Sequence, residues 1–341
     1  MKKKLFIIGN GFDLAHDLPT RYNDFKKWIL KQIDPKRETL FVTAEQDYFW
    51  NDFQIPQTYT SSDGEEIFRD NDIQIFFISL INQLVNGSDW TDFESKLGDI
   101  ADLSIDCEDM LDKDGDIDHF KNQYYLQDLN DSLIKAIPIL KNTLFPNWVR
   151  SIMETEEYSN LSALKQTIMN DSNNFFLTFN YTEVLEEVYG ISPSKICHIH
   201  GSIEEDRFLY GHGEKVFPED VPEFYIGLEH ALLTLQNEFK KPVSKQLSVL
   251  QSFLQNVNTA SEIKEIYFIG ISAIKTDIDE YPGVDDPYFE KIFELMPNVD
   301  IYVDEHERDS ELNIKKKLKK RGARKADQLQ FINTDTDTIA N

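Results

Sequence analysis

Four short segments carry the residues of this sequence that could do chemistry, and each follows directly on a short apolar run. The first is Gly9-Asn10-Gly11, the second is centred on Asn180, the third is His200-Gly201, and the fourth begins at Gly270. Glycine lets the backbone approach a ligand closely, an amide side chain both donates and accepts hydrogen bonds, and an imidazole takes up a proton near neutral pH. Together these residue types suit a ligand that contains phosphates and ribose hydroxyls.

The first segment is only part of a known fingerprint. Gly9 and Gly11 begin like the dinucleotide pattern Gly-x-Gly-x-x-Gly, but Leu14 occupies the place of its third glycine. No strand pattern lies about twenty residues further on, where that fingerprint needs an acidic residue for the ribose. The sequence therefore argues against a standard dehydrogenase. The turn can still bring the amides of a helix start to a phosphate, or it can simply connect a buried strand to a helix.

The later segments each have a structural alternative. Asn180 either meets a ribose at a strand end or caps a helix that begins near Thr182. His198 and His200 are two residues apart in a predicted strand and should therefore face the same side of the sheet. His200, followed by glycine, is the better candidate for a proton acceptor; the alternative is a histidine with satisfied hydrogen bonds in the core. Gly270 either approaches a nucleotide or forms an ordinary strand-to-loop turn.

Short buried strands must position these segments. Apolar runs rich in β-branched and aromatic residues predict strands over residues 5–8, 175–178, 196–199, 265–269 and 299–303. Helical patterns lie between several of them, over residues 183–189, 287–295 and 308–320. Asp285 and Asp286 precede the second of these helices and are expected to cap it. Such alternation predicts an α/β protein with a Rossmann-like, doubly wound parallel sheet.

A long interval separates the first predicted strand from the second. Apolar residues recur there at helical spacing over residues 73–84, 120–140 and 161–169, with polar loops near 55–71 and 104–118. We therefore expect a Rossmann-like core formed by residues 1–30 and 171–341, which includes a helical segment at 228–257. Residues 31–170 are expected to form a large, mostly helical insertion after the first strand.

The composition restricts the partners. The 341 residues include 61 acidic and 35 basic side chains, and the resulting net charge of -26 repels nucleic acids and anionic membrane surfaces. The two cysteines, Cys107 and Cys197, provide neither a disulfide framework nor a four-cysteine zinc site. No run approaches the ~20 apolar residues of a membrane span, and no secretory signal follows the N-terminal lysines. We expect a cytoplasmic protein that does not bind membranes.

Two charged segments imitate ligand sites. Residues 111–120 alternate aspartates like a calcium-binding loop, but the glycine falls fourth instead of sixth and Gln123 stands twelfth, where a glutamate is needed. A solvated acidic loop is the better interpretation. Residues 315–325 contain eight basic side chains. In so acidic a chain, we expect them to face solvent or acidic neighbours more than nucleic acid.

In this order, the four segments resemble the NAD-binding fold of sirtuins. Gly9 and Gly11 match the glycines of the sirtuin GAGxS turn, and Leu18-Pro19 matches the Ile-Pro that follows at fixed spacing. Asn180 matches the asparagine of TQNID, and His200-Gly201 matches the catalytic His-Gly. The resemblance therefore implies an NAD site of sirtuin type.

The fourth segment also matches the sirtuin pattern, whereas three other positions differ from it. Gly270-Ile271-Ser272 corresponds to the sirtuin GTS. Asp13 stands at a sirtuin serine, Asp17 at a glycine, and Thr182 at the aspartate that sirtuins place near the nicotinamide ribose. Two cysteines cannot supply the four zinc ligands of sirtuin deacetylases, so the resemblance does not extend to protein deacetylation.

A closer resemblance covers most of the chain. GNGFDL, FNYT, HIHG and a late GIS strand, with WTDFESKL at residues 90–97, form a combination similar to the bacterial abortive-infection AbiH family. This implies a role in antiphage defence. Sirtuin-like defence proteins are associated with NAD hydrolysis, so the resemblance implies NAD as substrate or ligand, no metal, and Asn180 and His200 as catalytic residues.

The hypothesis is that the chain cleaves the nicotinamide–ribose bond of NAD. Amides of residues 9–12 would hold the pyrophosphate, Asn180 would orient the ribose and an attacking water, and His200 would accept a proton. The implied nucleotide-binding residues are Gly9, Asn10, Gly11, Phe12, Asp13, Pro19, Thr20, Thr178, Gly201, Gly270 and Ser272.

Two other functions stay open. A nucleotide-sensing module would bind NAD or ADP-ribose without turnover and act through a partner or an oligomer, and Thr182 in place of aspartate favours it. A nuclease-like toxin is disfavoured by the charge and by the lack of a clustered metal-carboxylate pattern. For the antiphage role, we expect a homo-oligomer with a phage-derived trigger or a defence-system partner.

Overall fold

The computed structural model describes residues 3–32, 58–60, 62–64, 66–68, 72–85, 89–99, 112–116, 118–154, 174–213, 229–256, 262–271 and 283–332. The chain divides into two compact units. The first comprises Met1–Thr20, Val149–Leu209 and Pro242–Asn341, and the second comprises Arg21–Trp148 and Tyr210–Lys241.

The described residues form eight strands and eleven α-helices. The strands are β1 (Lys3–Ile8), β2 (Thr58–Thr60), β3 (Glu66–Phe68), β4 (Asn174–Thr178), β5 (Ile196–His198), β6 (Ile263–Ile269), β7 (Asp300–Asp304) and β8 (Gln330–Ile332). The helices are α1 (Asn10–Ala15), α2 (Tyr22–Gln32), α3 (Asp72–Leu84), α4 (Phe93–Lys96), α5 (His119–Ile139), α6 (Phe145–Met153), α7 (Val184–Glu187), α8 (Glu229–Glu238), α9 (Val243–Asn256), α10 (Asp286–Leu295) and α11 (Glu311–Lys320).

Six strands of the first unit form one sheet in which every pairing is parallel. Their order across the sheet is β5-β4-β1-β6-β7-β8. Counted along the chain, this is 3-2-1-4-5-6, the order that doubly wound nucleotide-binding sheets have. The prediction of an α/β protein with a parallel sheet is confirmed, and all five predicted strands belong to this sheet. The sixth, β8, was not predicted, because its three residues include one glutamine and only two apolar side chains.

The central strands β1 and β4 are buried on both faces along their apolar runs. Leu5, Phe6, Ile7 and Ile8 of β1 have 0% exposure. On one face, aromatic rings of four neighbouring strands stack in register: Phe6 lies 5.3 Å from the ring of Phe176 and 4.9 Å from that of Tyr267, which in turn lies 4.4 Å from Tyr302. We call these four rings the aromatic ladder. The ladder fixes the register of the central strands, because slipping by one residue would turn every ring to the other face.

The carboxyl ends of four strands lie side by side at one edge of the sheet. Ile8 at the end of β1 is paired with Thr178 of β4 and with Ile269 of β6, and Thr178 is paired with His198 of β5. The segments that follow these strands are the four that the sequence singled out. The sheet therefore brings them to a common edge, which is where open α/β sheets bind their ligands.

Glycines bring the chain after β1 into direct backbone contact with the chain after β6. The amide of Gly9 donates to the carbonyl of Ile269 at 3.0 Å, and the amide of Gly11 donates to that of Gly270 at 2.7 Å. A Cβ atom on Gly11 would lie 2.7 Å from the Cα of Gly270, and Gly270 itself has a φ of 61°. Only glycine fits so close an approach.

The second unit is built around aromatic side chains of its helices. Phe25 of α2 packs on Phe93 of α4, and its ring lies 5.5 Å from that of Phe145 at the start of α6. The ring of Phe93 also stacks on that of Tyr210. Glu94 of α4 accepts hydrogen bonds from Tyr22 and, at 2.7 Å, from Lys241, whose side chain is 1% exposed. Glu94 of the WTDFESKL segment therefore has a structural role, because it pairs with a buried lysine.

The extent of this second unit differs from the expected insertion. It begins at Arg21 and therefore takes in α2, and it also includes residues 210–241, which hold α8. The helical segment predicted over residues 228–257 is two helices, because Pro242 restricts the residue before it and lacks an amide hydrogen. The expected polar loop over 55–71 contains the hairpin β2–β3. The helix expected over 161–169 lies outside the described residues.

A substitution at Gly270 tests the backbone contact. In Gly270→Ala the added Cβ would meet the amide nitrogen of Phe12 at 2.1 Å, in addition to the cost of a positive φ. We expect a loss of roughly 3–5 kcal/mol in the free energy of unfolding. Gly115→Ala is the matched control, because Gly115 also has a positive φ of 85° but nothing within 4 Å, so about 1–2 kcal/mol is expected there. Urea denaturation followed by circular dichroism measures both; equal losses would contradict the packing argument.

Candidate functional site

A buried carboxylate holds together the segments after β1 and β4. Oδ1 of Asp13 accepts a hydrogen bond from the side-chain amide of Asn180 at 2.8 Å, and Oδ2 accepts one from the hydroxyl of Thr182 at 2.7 Å. The same amide nitrogen of Asn180 lies 3.1 Å from the carbonyl oxygen of Gly9. Asp13, Asn180 and Thr182 are all buried. The structure thus brings together three residues that the sequence singled out, and Asn180 anchors the glycine turn instead of capping a helix.

Burial controls the charge of this carboxylate. Desolvation raises the pKa of Asp13 from 3.8 to about 7, although the hydrogen bonds from Thr182 and Asn180 and the nearby ring of His198 favour the ionised form. A group with this pKa exchanges its proton close to neutral pH. Sequence inspection placed Asp13 among the nucleotide contacts, but its surroundings make it a titrating acid at the strand edge.

His198 and His200 do not share the environment that their spacing predicted. β5 ends at His198, and His200 lies in the turn that follows, closed by the hydrogen bond from the amide of Gly201 to the carbonyl of His198. The period-two rule for strands therefore does not apply to the pair. His198 contacts Glu186 of α7, which sequence inspection missed, whereas His200 lies in a different group of side chains.

His200 lies among aromatic rings and beside a carboxylate. Its side chain is 4% exposed, and its ring is 5.3 Å from Phe179, 6.3 Å from Tyr181 and 6.0 Å from Tyr288. Its Nε2 atom is 3.4 Å from Oδ1 of Asp285 but makes no hydrogen bond within the described part of the chain. A buried imidazole nitrogen left in this state is unusual in a folded protein. His200 is therefore not the satisfied core histidine of the alternative interpretation.

The two aspartates at the start of α10 do not make the capping contacts that the sequence predicts. Asp285 stands at the N-cap position but its side chain makes no capping hydrogen bond, and it faces His200 instead. Asp286 accepts from the amide of Gly283 at 2.8 Å and pairs with Arg321. The Asp-Asp-Pro sequence at residues 285–287 predicts a capped helix start, so Asp285 could not be recognised from the sequence as the neighbour of His200.

The amides of the glycine turn already have acceptors within the protein. Gly9 donates to the carbonyl of Ile269 at the end of β6, and Gly11 donates to that of Gly270. Phe12 donates to the carbonyl of Gly9 at 2.9 Å. α1 is only six residues long. The expectation that the amides of residues 9–12 hold a pyrophosphate thus does not match their geometry, because three of these donors close the turn on itself and on Gly270.

The remaining residues that the sequence predicts as nucleotide contacts differ in their exposure and their partners. Asn10 and Pro19 are exposed, whereas Thr178 is buried and its hydroxyl accepts from the amide of Asn180 at 3.1 Å. Thr20 has a buried hydroxyl oxygen without a hydrogen-bond partner among the described residues, and Gly201 has a φ of 86° that lets it pack against the backbone of residue 207. Ser272 lies outside the described residues.

A third histidine of this unit is structural. His16 is fully buried, its Nδ1 is 2.7 Å from the carbonyl oxygen of Phe12, and its Nε2 is 2.8 Å from the hydroxyl of Tyr189. The carbonyl fixes the proton on Nδ1, so Nε2 accepts from Tyr189. Burial lowers the pKa of His16 and raises that of Tyr189. Both side chains are therefore neutral and hold α1 against the chain near α7.

The described residues of the charged segments make contacts within the chain. Asp112 accepts hydrogen bonds from the amides of Asp114 and Asp116, which closes the acidic loop on itself. In the basic segment, Lys319 pairs with Asp327 and Lys325 with Asp300, as the sequence interpretation expected. Within the residues that the structure describes, no group of three or more metal-ligating side chains converges. None of the described helices has the length and apolar character needed to cross a membrane.

The six-stranded parallel sheet and its helices make this an α/β protein, and its strand order is the one that doubly wound sheets have. The comparison with known families is more specific: the family model described as "Bacteriophage abortive infection AbiH" matches residues 5–304. The chain therefore belongs to the AbiH family, whose description names a role in abortive phage infection. No protein of curated function and no solved structure matches the chain significantly.

The pH dependence of stability tests the environment of Asp13. Between about pH 4 and pH 7 the folded protein keeps a proton on Asp13 that the unfolded chain has lost, since its folded pKa is about 7 against an ordinary value of 3.8. The wild type should therefore lose stability relative to Asp13→Asn as the pH rises through this window, and the difference should be constant above it. Urea denaturation at several pH values measures this.

The exposed residue Asp309 provides the control for that measurement. Asp309→Asn should follow the wild type at every pH, because its side chain is exposed to solvent and not buried like that of Asp13. A difference between wild type and Asp13→Asn that does not change with pH would show that Asp13 titrates normally.

Proposed function

We propose that this protein is an antiphage effector that binds NAD at the carboxyl edge of its parallel sheet and hydrolyses the nicotinamide–ribose bond. The observation that carries the proposal is the buried Nε2 of His200, which makes no hydrogen bond to the described residues and lies 3.4 Å from the carboxylate of Asp285. The hydrogen-bonding capacity of this nitrogen is left unused by the described residues.

The residues fit one end of the nucleotide better than the other. Asn180 and His200 both lie two residues beyond the paired positions Thr178 and His198, at the ends of neighbouring strands, as a ribose-binding pair would. Aromatic rings around His200, with Asp285 beside them, favour a flat cationic ring such as the nicotinamide of NAD. The glycine turn offers little to the pyrophosphate, so we place the phosphates over β4 and β5.

The chain's own residues would do three things in this reaction. His200 accepts a proton at Nε2 from the attacking water, and the charge of Asp285 stabilises the resulting imidazolium. Asn180 keeps the turn after β4 fixed against Asp13 and Gly9, which positions the ribose. The bond between ribose and nicotinamide breaks, its electron pair leaves with nicotinamide, and water completes ADP-ribose.

One observation favours a second candidate function: the side-chain amide nitrogen of Asn180 already donates to Asp13 and Gly9. That arrangement favours a nucleotide sensor that binds NAD or ADP-ribose without turnover and acts through a partner or an oligomer. Calorimetry with each nucleotide, together with mass spectrometry of free nicotinamide, separates the two functions: binding without release supports the sensor.

Replacing His200 tests the hydrolase. In His200→Gln we expect nicotinamide release to fall by about a hundredfold or more, and protection of bacteria against phage to be lost, because the proton acceptor is gone. His306→Gln is the matched control, since His306 is 72% exposed, and it should behave as wild type. The hydrolase proposal fails if wild-type protein leaves NAD intact with and without extracts of phage-infected cells, while His200→Gln still protects.

Replacing Asp285 tests the role of the neighbouring carboxylate. Asp285→Asn removes the charge that stabilises a protonated His200 at a separation of 3.4 Å. The loss of turnover should be smaller than for His200→Gln, because the proton acceptor itself remains. Turnover equal to that of the wild type would show that Asp285 does not act on His200.

A further inference from the structure

The ring of His198 lies between two oxygen acceptors. Its Nδ1 is 3.2 Å from the carbonyl oxygen of Asn180, and its Nε2 is 2.9 Å from Oε1 of Glu186. A neutral imidazole carries one N–H group, so one of these contacts would set a nitrogen lone pair against an oxygen. Only the doubly protonated ring donates to both. The side chain is 8% exposed, so water cannot easily replace either partner.

The charges around His198 favour this state. Glu186 and Glu183 belong to α7 and its start, Glu205 follows β5, and Asp13 belongs to α1; each interacts electrostatically with the ring. The nearest basic partner of this group, Arg207, pairs with Glu205 at 2.7 Å. Burial opposes charging of the ring, but the hydrogen bond and the charge of Glu186 outweigh it, so the pKa of His198 is raised.

The carbonyl that His198 contacts belongs to the residue on which the site depends. The backbone amide of Asn180 donates to the hydroxyl of Thr178, and its side chain donates to Gly9 and Asp13. The turn after β4 is thus held by β4 through its amide, by the glycine turn through its side chain, and by β5 through its carbonyl. The last of these contacts requires a proton on Nδ1 of His198, and the contact with an ionised Glu186 requires a second proton on Nε2.

We propose that His198 is a positioning residue: as an imidazolium between Glu186 and the carbonyl of Asn180, it fixes the turn that presents Asn180 to the nucleotide. The assignment of that turn to a nucleotide rests on the proposed function, whereas the charge and contacts of His198 do not. The contribution of His198 to stability is fully present below its ordinary pKa of 6.5 and is lost as the pH rises through the raised folded value.

Nitrogen NMR of histidine-labelled full-length protein tests the charge directly. Near pH 7, the His198 ring, identified by its absence in His198→Gln, should show two protonated nitrogens. Glu186→Gln should move its titration to lower pH by roughly one to two units, because the paired charge is removed. Glu187→Gln, a change at an exposed position of the same helix, should leave the titration in place. A ring that is neutral at pH 7 would overturn the proposal.

Hydrogen exchange tests the positioning. Residues 179–182 should exchange faster in Glu186→Gln than in wild type or Glu187→Gln, and wild type should approach Glu186→Gln as the pH rises through the titration of His198, after correction for intrinsic exchange. Equal protection in all three proteins would overturn the positioning role. Calorimetry with NAD on the same proteins keeps the questions separate: if wild type does not bind NAD, the proposed function fails, while the titration and exchange results still decide the role of His198.

Discussion

The site depends on one buried carboxylate and the two donors that converge on it. Asp13 comes from the helix after β1, whereas Asn180 and Thr182 come from the turn after β4, so their hydrogen bonds tie two crossover connections together at one sheet edge. The carboxylate is costly to bury, and its donors reduce that cost without removing it. The resulting arrangement is rigid but holds an acid that is close to its titration point. Rigidity and a mobile proton are both useful at a reactive centre.

Three histidines of the first unit lie in environments that differ in kind. His198 is paired with a glutamate and favours a charge, whereas His16 is enclosed by rings and a tyrosine hydroxyl and stays neutral. His200 has aromatic neighbours and a carboxylate at a longer distance. Three histidines of one unit thus have three separate roles, and the surrounding side chains assign them. Burial and the pairing with carboxylates therefore determine which of these side chains near the sheet edge favours a charge.

Much of the first unit could be predicted from the sequence, and the reasons are physical. Unbroken apolar runs such as residues 5–8 have few alternatives to a buried parallel strand, and the carboxyl ends of such strands meet at one edge. The strand prediction therefore places Asn180 and His200 just beyond the ends of two neighbouring strands. The sequence could not show that Asp13 meets Thr182, because that contact joins residues 169 positions apart. Nor could it identify Asp285, since two aspartates followed by a proline are typical of a helix start and predict capping contacts.

The backbone contact among Gly9, Gly11 and Gly270 also limits how this sheet could change in evolution. In nucleotide-binding sheets with this strand order, the crevice between the first and fourth strands normally receives the pyrophosphate. Here two main chains meet in that place, and hydrogen bonds of 3.0 and 2.7 Å join them. Opening it would require both connections to move at once, which no single substitution achieves. This junction therefore leaves the neighbouring ends of β4 and β5, with Asn180 and His200 beyond them, as the part of the edge that could change one side chain at a time.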